Sequence, residues 1–244
     1  MRLSNGKLAA LIIALVIVID QAVKIWVKTH FYYGEEVQIT TWFRLLFIEN
    51  NGMAFGMELG SKLLLTLFRI VASGAFIYYL WRLRNSRDVP KGYVACIALI
   101  TAGALGNVID CVCYGLIFNN PMPPQVAQLF PPDGGYATLF NGRVVDMLYF
   151  PLCEWNWPQW VPMIGGDHFV FFQPIFNIAD ASLSVSVIVL ILFYARYLAK
   201  ATTPENSENS ENSETSEISE ISENSEISEN SENSKNSESP ESTE

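Results

Sequence analysis

Half of the 244 residues are hydrophobic and only 16% are charged, a high apolar content for a soluble chain of this length. The net charge of −10 misleads as a whole, because 13 Glu and one Lys from Ala201 onward carry −12 and leave +2 on residues 1–200. The acidity belongs to the tail and says nothing about substrates of the body; no nucleic-acid partner is expected.

The apolar residues gather in runs that match the roughly 20 residues a helix needs to cross a bilayer. The first run, Leu8–Val27, resembles a signal peptide in length, but no small-x-small cleavage site follows it. Asp20 and Lys24 also interrupt its end, so it is read as a retained span. Four residues apart on one helix face, these two can neutralise each other, which makes a structural ion pair their first reading. Next, Val37–Phe55 mixes β-branched and aromatic residues with partial alternation and ends in Asn50-Asn51-Gly52. Asn-Gly is a strong turn signal, and a small extracytoplasmic sheet is expected there.

The second span covers Leu63–Trp81 and the third Tyr93–Tyr114. In the third, Gly103, Gly106, Asn107 and Asp110 fall at i, i+3, i+4 and i+7 and form one stripe. Its glycines allow a second backbone to approach, and its polar side chains face the same surface. Further on, Val144-Val145-Asp146-Met147 is a strand-like apolar run with one carboxylate inside it. The fourth span, Ala179–Leu198, opens with Phe176-Asn177-Ile178-Ala179-Asp180. N-capping is the structural alternative for Asp180, since a carboxylate is favoured at a helix start. From Glu205 the chain repeats Asn-Ser-Glu and Ile-Ser-Glu triplets with no aromatic residue. Such a segment buries too little apolar surface to fold, so 201–244 is read as a disordered, acidic, low-complexity tail.

Lys and Arg in short flanks mark the cytoplasmic side of a membrane protein. Arg2 and Lys7 precede the first span, Arg82, Arg84, Arg87 and Lys91 link the second and third, and Arg196 and Lys200 follow the fourth. Four spans put all three clusters on one side, with both termini cytoplasmic and segments 28–62 and 115–178 outside. Trp42, Trp155, Trp157 and Trp160 then lie in outer segments, where they suit either the membrane–water interface or ordinary packing.

An ionisable group in a membrane helix costs about 2.5–3.5 kcal/mol on insertion scales, so each one asks for a partner or a purpose. Asp110, Asp146 and Asp180 share the outer side. Two carboxylates held close tend to share one proton; one can then serve as base on a water while the other protonates a scissile carbonyl. No His/Cys/Glu set has zinc spacing, and two histidines without a GxSxG motif give serine catalysis little support; no cofactor is expected. Cys96 lies in an apolar run and is read as a core residue, whereas Cys111, Cys113 and Cys153 could pair in an oxidising compartment. From the residues alone, aspartyl hydrolysis stands beside two rivals. One is a proton-coupled transporter or channel; the other is a scaffold in which Asp180 merely caps a helix.

The ordered set Asp20-Gln21-x-x-Lys24, Asn50-x-Gly52-x-Ala54-Phe55, Gly103-x-x-Gly106-Asn107-x-x-Asp110, Val144-Val145-Asp146 and Phe176-Asn177-x-Ala179-Asp180 resembles lipoprotein signal peptidase. That family, also called signal peptidase II, is an intramembrane aspartyl protease of bacteria, and the resemblance covers about residues 8–200. It implies a mainly α membrane fold: four transmembrane helices, a small β-rich extracytoplasmic platform, and here a tail outside the peptidase domain of 1–200. The implied activity removes signal peptides from diacylglyceryl-modified prolipoproteins, just before the lipidated cysteine, at the outer face of the inner membrane. Asp146 and Asp180 match the catalytic pair. Asn107, Asp110 and Asn177 match residues that line and support the site, Asp20 and Lys24 the first-helix motif, and Asn50 and Gly52 the motif near the substrate. The partners implied are prolipoprotein substrates, membrane lipids and globomycin-type inhibitors.

Two departures stand out. The family usually carries Arg directly after the third-helix Asp, where this chain has Cys111, and Arg143 is the candidate to replace that charge. The outer stretches 116–142 and 151–173 are also longer than usual, and their Pro, Gly and aromatic content suggests an ordered or semi-ordered elaboration over the site, whether lid, partner contact or neutral insertion.

Overall fold

A computed structural model describes residues 3–51 and 62–202; Gly52 and the tail beyond Thr202 lie outside the described residues. The chain divides into two compact units, 1–193 and 194–244, and the first holds the candidate site.

Four helices are long and apolar enough to cross a membrane. The first is α1 (Asn5–His30), the second α2 (Lys62–Leu83) and the third α3 (Lys91–Ile109). Through a single π-helical turn at Asp110–Tyr114, α3 passes into the short α4 (Gly115–Ile117). The fourth is α5 (Ile178–Thr202), whose backbone leaves helical geometry at Tyr194. All four begin within three residues of the expected starts. The polar ends that hydropathy trims are recruited by capping: the Ser4 hydroxyl accepts from the Lys7 amide at 3.4 Å and starts α1 ahead of its apolar run.

Three of these helices carry apolar side chains on the outside of the bundle. Leu11, Leu15 and Val18 of α1, Leu64, Phe68 and Val71 of α2, and Ile188 and Leu192 of α5 are exposed. By contrast α3 is buried along most of its length, with Val94, Ile97, Ala98 and Ala102 packed inside. A helix apolar on every face belongs at the centre of a bundle.

One end of the bundle carries a four-stranded antiparallel sheet in the order β1-β2-β3-β6. Its strands are β1 (Glu36–Gln38), β2 (Arg44–Asn50), β3 (Val144–Tyr149) and β6 (Ile175–Phe176). A separate hairpin, β4 (Cys153–Asn156) and β5 (His168–Phe171), lies between β3 and β6 in sequence. Side chains alternate across a strand, so Val145 and Met147 face one way. There they join Val27, Phe31, Phe47, Tyr114 and Phe118 in the core beneath the sheet. Asp146 faces the other way.

The long stretch after α4 is ordered against this core. Tyr136 and Ala137 donate backbone bonds to Phe118 and Gly115 at 2.9 and 2.8 Å, and Gly142 donates to the Cys111 carbonyl at 2.8 Å. Gly142 is needed there because a Cβ would collide with the Asp110 carbonyl oxygen. The four cysteines are unbridged; Cys96 is buried as expected, and no pair forms among Cys111, Cys113 and Cys153.

Candidate active site

Four carboxylates and one lysine meet where α1, α3, β3 and the start of α5 converge. Lys24 is fully buried, and its Nζ lies 2.9 Å from Asp20 Oδ2 and 2.7 Å from Asp110 Oδ2. The expected Asp20–Lys24 pair therefore exists, but it is one arm of a three-member cluster. The other arm answers the question raised by Cys111: Asp110 has its cation, and that cation is Lys24. Arg143 does not replace it. Its guanidinium pairs with Glu49 at 3.0 Å instead, drawn to a carboxylate that also holds the buried Lys28. Position 111 is still met by a cation, since Arg69 of α2 places Nη1 3.3 Å from the Cys111 sulfur.

Asp20 has a second task. Its Oδ1 accepts from the Ala179 amide at 2.9 Å, so a carboxylate from α1 satisfies one of the unpaired donors at the start of α5. The glycine stripe makes this approach feasible. A Cβ on Gly106 would sit 2.8 Å from Asp20 Oδ2 and 3.1 Å from Ala179 Cβ, and one on Gly103 would overlap the Ala179 carbonyl.

Asp180 is not the cap of α5. The cap is Asn177, whose Oδ1 accepts from the Asp180 amide at 2.9 Å. Asp180 sits within the first turn, half-buried, with its Oδ1 accepting from Asn107 Nδ2 at 2.7 Å. Asp146, only 2% exposed, accepts from Asn177 Nδ2 at 2.8 Å. The two amides touch each other, Asn177 Nδ2 lying 3.2 Å from Asn107 Oδ1.

The orientation of both amides is dictated by groups that can only donate. Lys24 Nζ donates to Asn107 Oδ1 at 3.1 Å, which turns the Asn107 NH₂ toward Asp180. The Asp180 backbone N–H claims Asn177 Oδ1, which turns that NH₂ toward Asp146. Each carboxylate is thus fixed by one amide donor, and the amides are fixed by a buried cation and a helix start. Burial, and then the nearby charge of Asp180, push the Asp146 carboxyl up to about 7.

Of the remaining candidates, Asn50 ends β2 and pairs with Val144, two residues from Asp146 on the neighbouring strand, while Gly52 lies outside the described residues. Gln21 was missed as a site residue although it lies inside the first motif. Its Nε2 reaches Asp110 Oδ1 at 2.9 Å and Asp20 Oδ2 at 3.1 Å, and Tyr114 donates to its Oε1 at 3.1 Å. Lys28 was missed too. It is buried among the Phe47, Phe118 and Tyr136 rings, 5.2–5.7 Å from their centroids; its place at the end of a span looked like an ordinary flank. Among the described residues no group of three or more His, Cys, Asp or Glu is arranged to hold a metal ion.

The chain as a whole is similar to known proteins. Residues 12–196 match the family described as signal peptidase (SPase) II. A lipoprotein signal peptidase of Porphyromonas gingivalis is 49% identical over 84% of this chain and 93% of its own length. One from Amoebophilus asiaticus is 37% identical over 73% of each chain. A solved bacterial membrane enzyme, 24% identical, shares the fold with a TM-score of 0.50 over 80% of this chain and 92% of that one. With four membrane helices and a family match over most of its length, this multi-pass membrane chain belongs to the signal peptidase II family of lipoprotein-processing proteases.

Proposed function

We propose that Asp146 and Asp180 are the catalytic dyad of an aspartyl endopeptidase. It removes the signal peptide from diacylglyceryl-modified prolipoproteins, cutting before the lipidated cysteine. The observation that carries this reading is the pair of crossed amides: Asn177 holds Asp146 at 2.8 Å and Asn107 holds Asp180 at 2.7 Å. A scaffold in which Asp180 merely caps α5 has no use for such a frame, because Asn177 already fills the cap.

The two environments divide the roles. Asp146, buried and raised to about 7, keeps the proton, while half-buried Asp180 supplies the base. Water attacks the scissile carbonyl and gives its proton to Asp180, while Asp146 protonates the carbonyl oxygen. The resulting diol collapses: the C–N bond breaks, the leaving amine takes the proton from Asp180, and Asp146 recovers its own from the diol hydroxyl. No metal is required for any step. Asn107, Asn177, Asp110, Asp20, Lys24 and Gln21 position the pair; Asn50 lies near the substrate.

The polar cluster lies at the end of the bundle that carries the sheet, and Arg82, Arg84, Arg87 and Lys91 lie at the opposite end. With the positive-inside rule this supports a topology with both termini in the cytoplasm and the dyad at the outer face of the bacterial inner membrane. Lipidated substrate enters from the bilayer, its acyl chains against exposed helix faces, and globomycin-type inhibitors compete there. Residues 1–200 form the peptidase domain; the tail lies outside the described residues. The test is cleavage of a purified lipidated prolipoprotein by Asp180→Asn and Asp146→Asn enzymes that still insert and fold. Both should be inactive; wild-type processing by either would end the assignment.

A further inference from the structure

At the end of the bundle remote from the carboxylates, a cleft of about 740 Å³ opens between the start of α1 and the link joining α2 to α3. Arg84, Arg87 and Lys91 line it together with Ser4, Asn85 and Ser86, and no carboxylate is among its lining residues. Three cations lining one cleft make it electropositive, and an anion held there would relieve that potential.

The link is held in place by α1. Asn5 Nδ2 donates to the Ser86 carbonyl at 2.6 Å and to that of Leu83 at 3.4 Å, and the Gly6 amide donates to the Arg84 carbonyl at 3.2 Å. Arg84 is fixed as well: its guanidinium lies 4.0 Å from the centre of the Trp81 ring, with Nη1 donating to the Trp81 carbonyl at 2.8 Å. Trp81 stacks with Tyr78 at 6.1 Å, and both rings are more than half exposed on the outside of α2. An arginine laid over an exposed aromatic pair at the end of a membrane helix marks the headgroup level of a bilayer.

We propose that this cleft binds the phosphodiester of an anionic phospholipid. Arg84, Arg87 and Lys91 contact the phosphate, the Ser4 and Ser86 hydroxyls meet the rest of the headgroup, and the acyl chains run down α2 past Trp81 and Tyr78. The site is independent of the dyad. Topogenic charges need only lie on one side of the membrane, so they explain neither the convergence on a cleft nor the aromatic floor beneath Arg84.

The test uses the full-length protein, delipidated in detergent and titrated by native mass spectrometry with phosphatidylglycerol or phosphatidylcholine. Phosphatidylglycerol should bind more tightly, and the preference should fall about fivefold for each of Arg84→Gln, Arg87→Gln and Lys91→Gln. Arg82→Gln, which removes the same charge outside the cleft, should leave it unchanged, and inorganic phosphate in excess should not displace the lipid. Equal affinity for the two lipids would overturn the proposal. So would an Arg82→Gln loss matching that of Arg87→Gln, or displacement by inorganic phosphate, which would reveal a simple anion site. If Arg84→Gln or Lys91→Gln does not fold, Arg87→Gln, at an exposed position, still decides between these outcomes.

Discussion

Replacing Asp146 with Asn should abolish processing and yet stabilise the protein, by an amount that depends on pH in a defined direction. Burial, followed by the charge of Asp180, raises the Asp146 carboxyl from its ordinary 3.8 to about 7. A rise of about three units corresponds to a penalty of about 4 kcal/mol on the ionised folded state. Above pH 7 the carboxyl is ionised whether folded or unfolded, and the whole penalty is present. Between about 7 and 3.8 the folded carboxyl holds a proton that the unfolded one has lost, so the penalty shrinks by about 1.4 kcal/mol per pH unit. Below that range it vanishes. Asn carries no charge, and its Oδ1 can still accept from Asn177 Nδ2, 2.8 Å away in the native protein. Asp146→Asn should therefore exceed the native protein by about 4 kcal/mol near pH 8 and by about 2 kcal/mol near pH 5.5. Thermal unfolding in detergent, followed by tryptophan fluorescence, would read this as a gap in Tm that narrows on acidification. A variant melting at or below the native protein near pH 8, or a gap that stays constant with pH, would refute a buried, proton-retaining Asp146.

The same proton sets the pH profile of the reaction: cleavage of lipidated prolipoprotein should fall by up to about tenfold per unit above pH 7, as Asp146 loses the proton it must donate. Lys24→Met leaves Asp20 and Asp110 buried without their cation, at about 3–5 kcal/mol. It should cripple accumulation of folded protein, and adding Asp20→Asn with Asp110→Asn should recover part of it without restoring cleavage. Gly106→Ala drives a methyl into Asp20 and Ala179; a loss of about 1–3 kcal/mol is expected, measurable as a lower Tm. Asn177→Ala removes both the α5 cap and the donor to Asp146, and should slow cleavage about tenfold or more by progress-curve assay.

The membrane architecture was legible because it rests on long-range composition. Runs of some 20 apolar residues admit few alternatives to a spanning helix, and all four were located to within a few residues. The two central sheet strands were legible in part: β3 around the apolar run Val144–Met147, and β2 only as some part of Val37–Phe55. The π-helical turn at Asp110–Tyr114 was not. One extra residue in a helical turn leaves no periodic trace over five residues; the turn starts at Asp110, whose Oδ2 α3 brings to 2.7 Å from Lys24 and 3.4 Å from the Val145 amide. The ordering of 116–142 was only hinted at by composition, since backbone bonds such as Gly142 to Cys111 have no pattern to read.

Within the site, spacing identified the unusual carboxylates but could not say which group met which. Asp20 and Lys24 were paired from their i, i+4 spacing, a rule that sees one helix at a time. The decisive contacts join different elements: Lys24 to Asp110 and Asn107, Asp20 to the Ala179 amide, Asn107 to Asp180. They also revise what the ion pair is for. A single lysine between two aspartates leaves the cluster one negative charge in excess, and that charge faces a helix start whose amides favour it. Lys24 in turn fixes Asn107 with its oxygen inward, so the only group Asn107 can offer Asp180 is a donor. A pair read from sequence as structural neutralisation is thereby wired, through one amide, to the carboxylate proposed as the base. Changing Lys24 should accordingly disturb kcat as well as folding. A variant that folds once Asp20 and Asp110 are neutralised, and then cleaves at the native rate, would show that this wiring carries nothing.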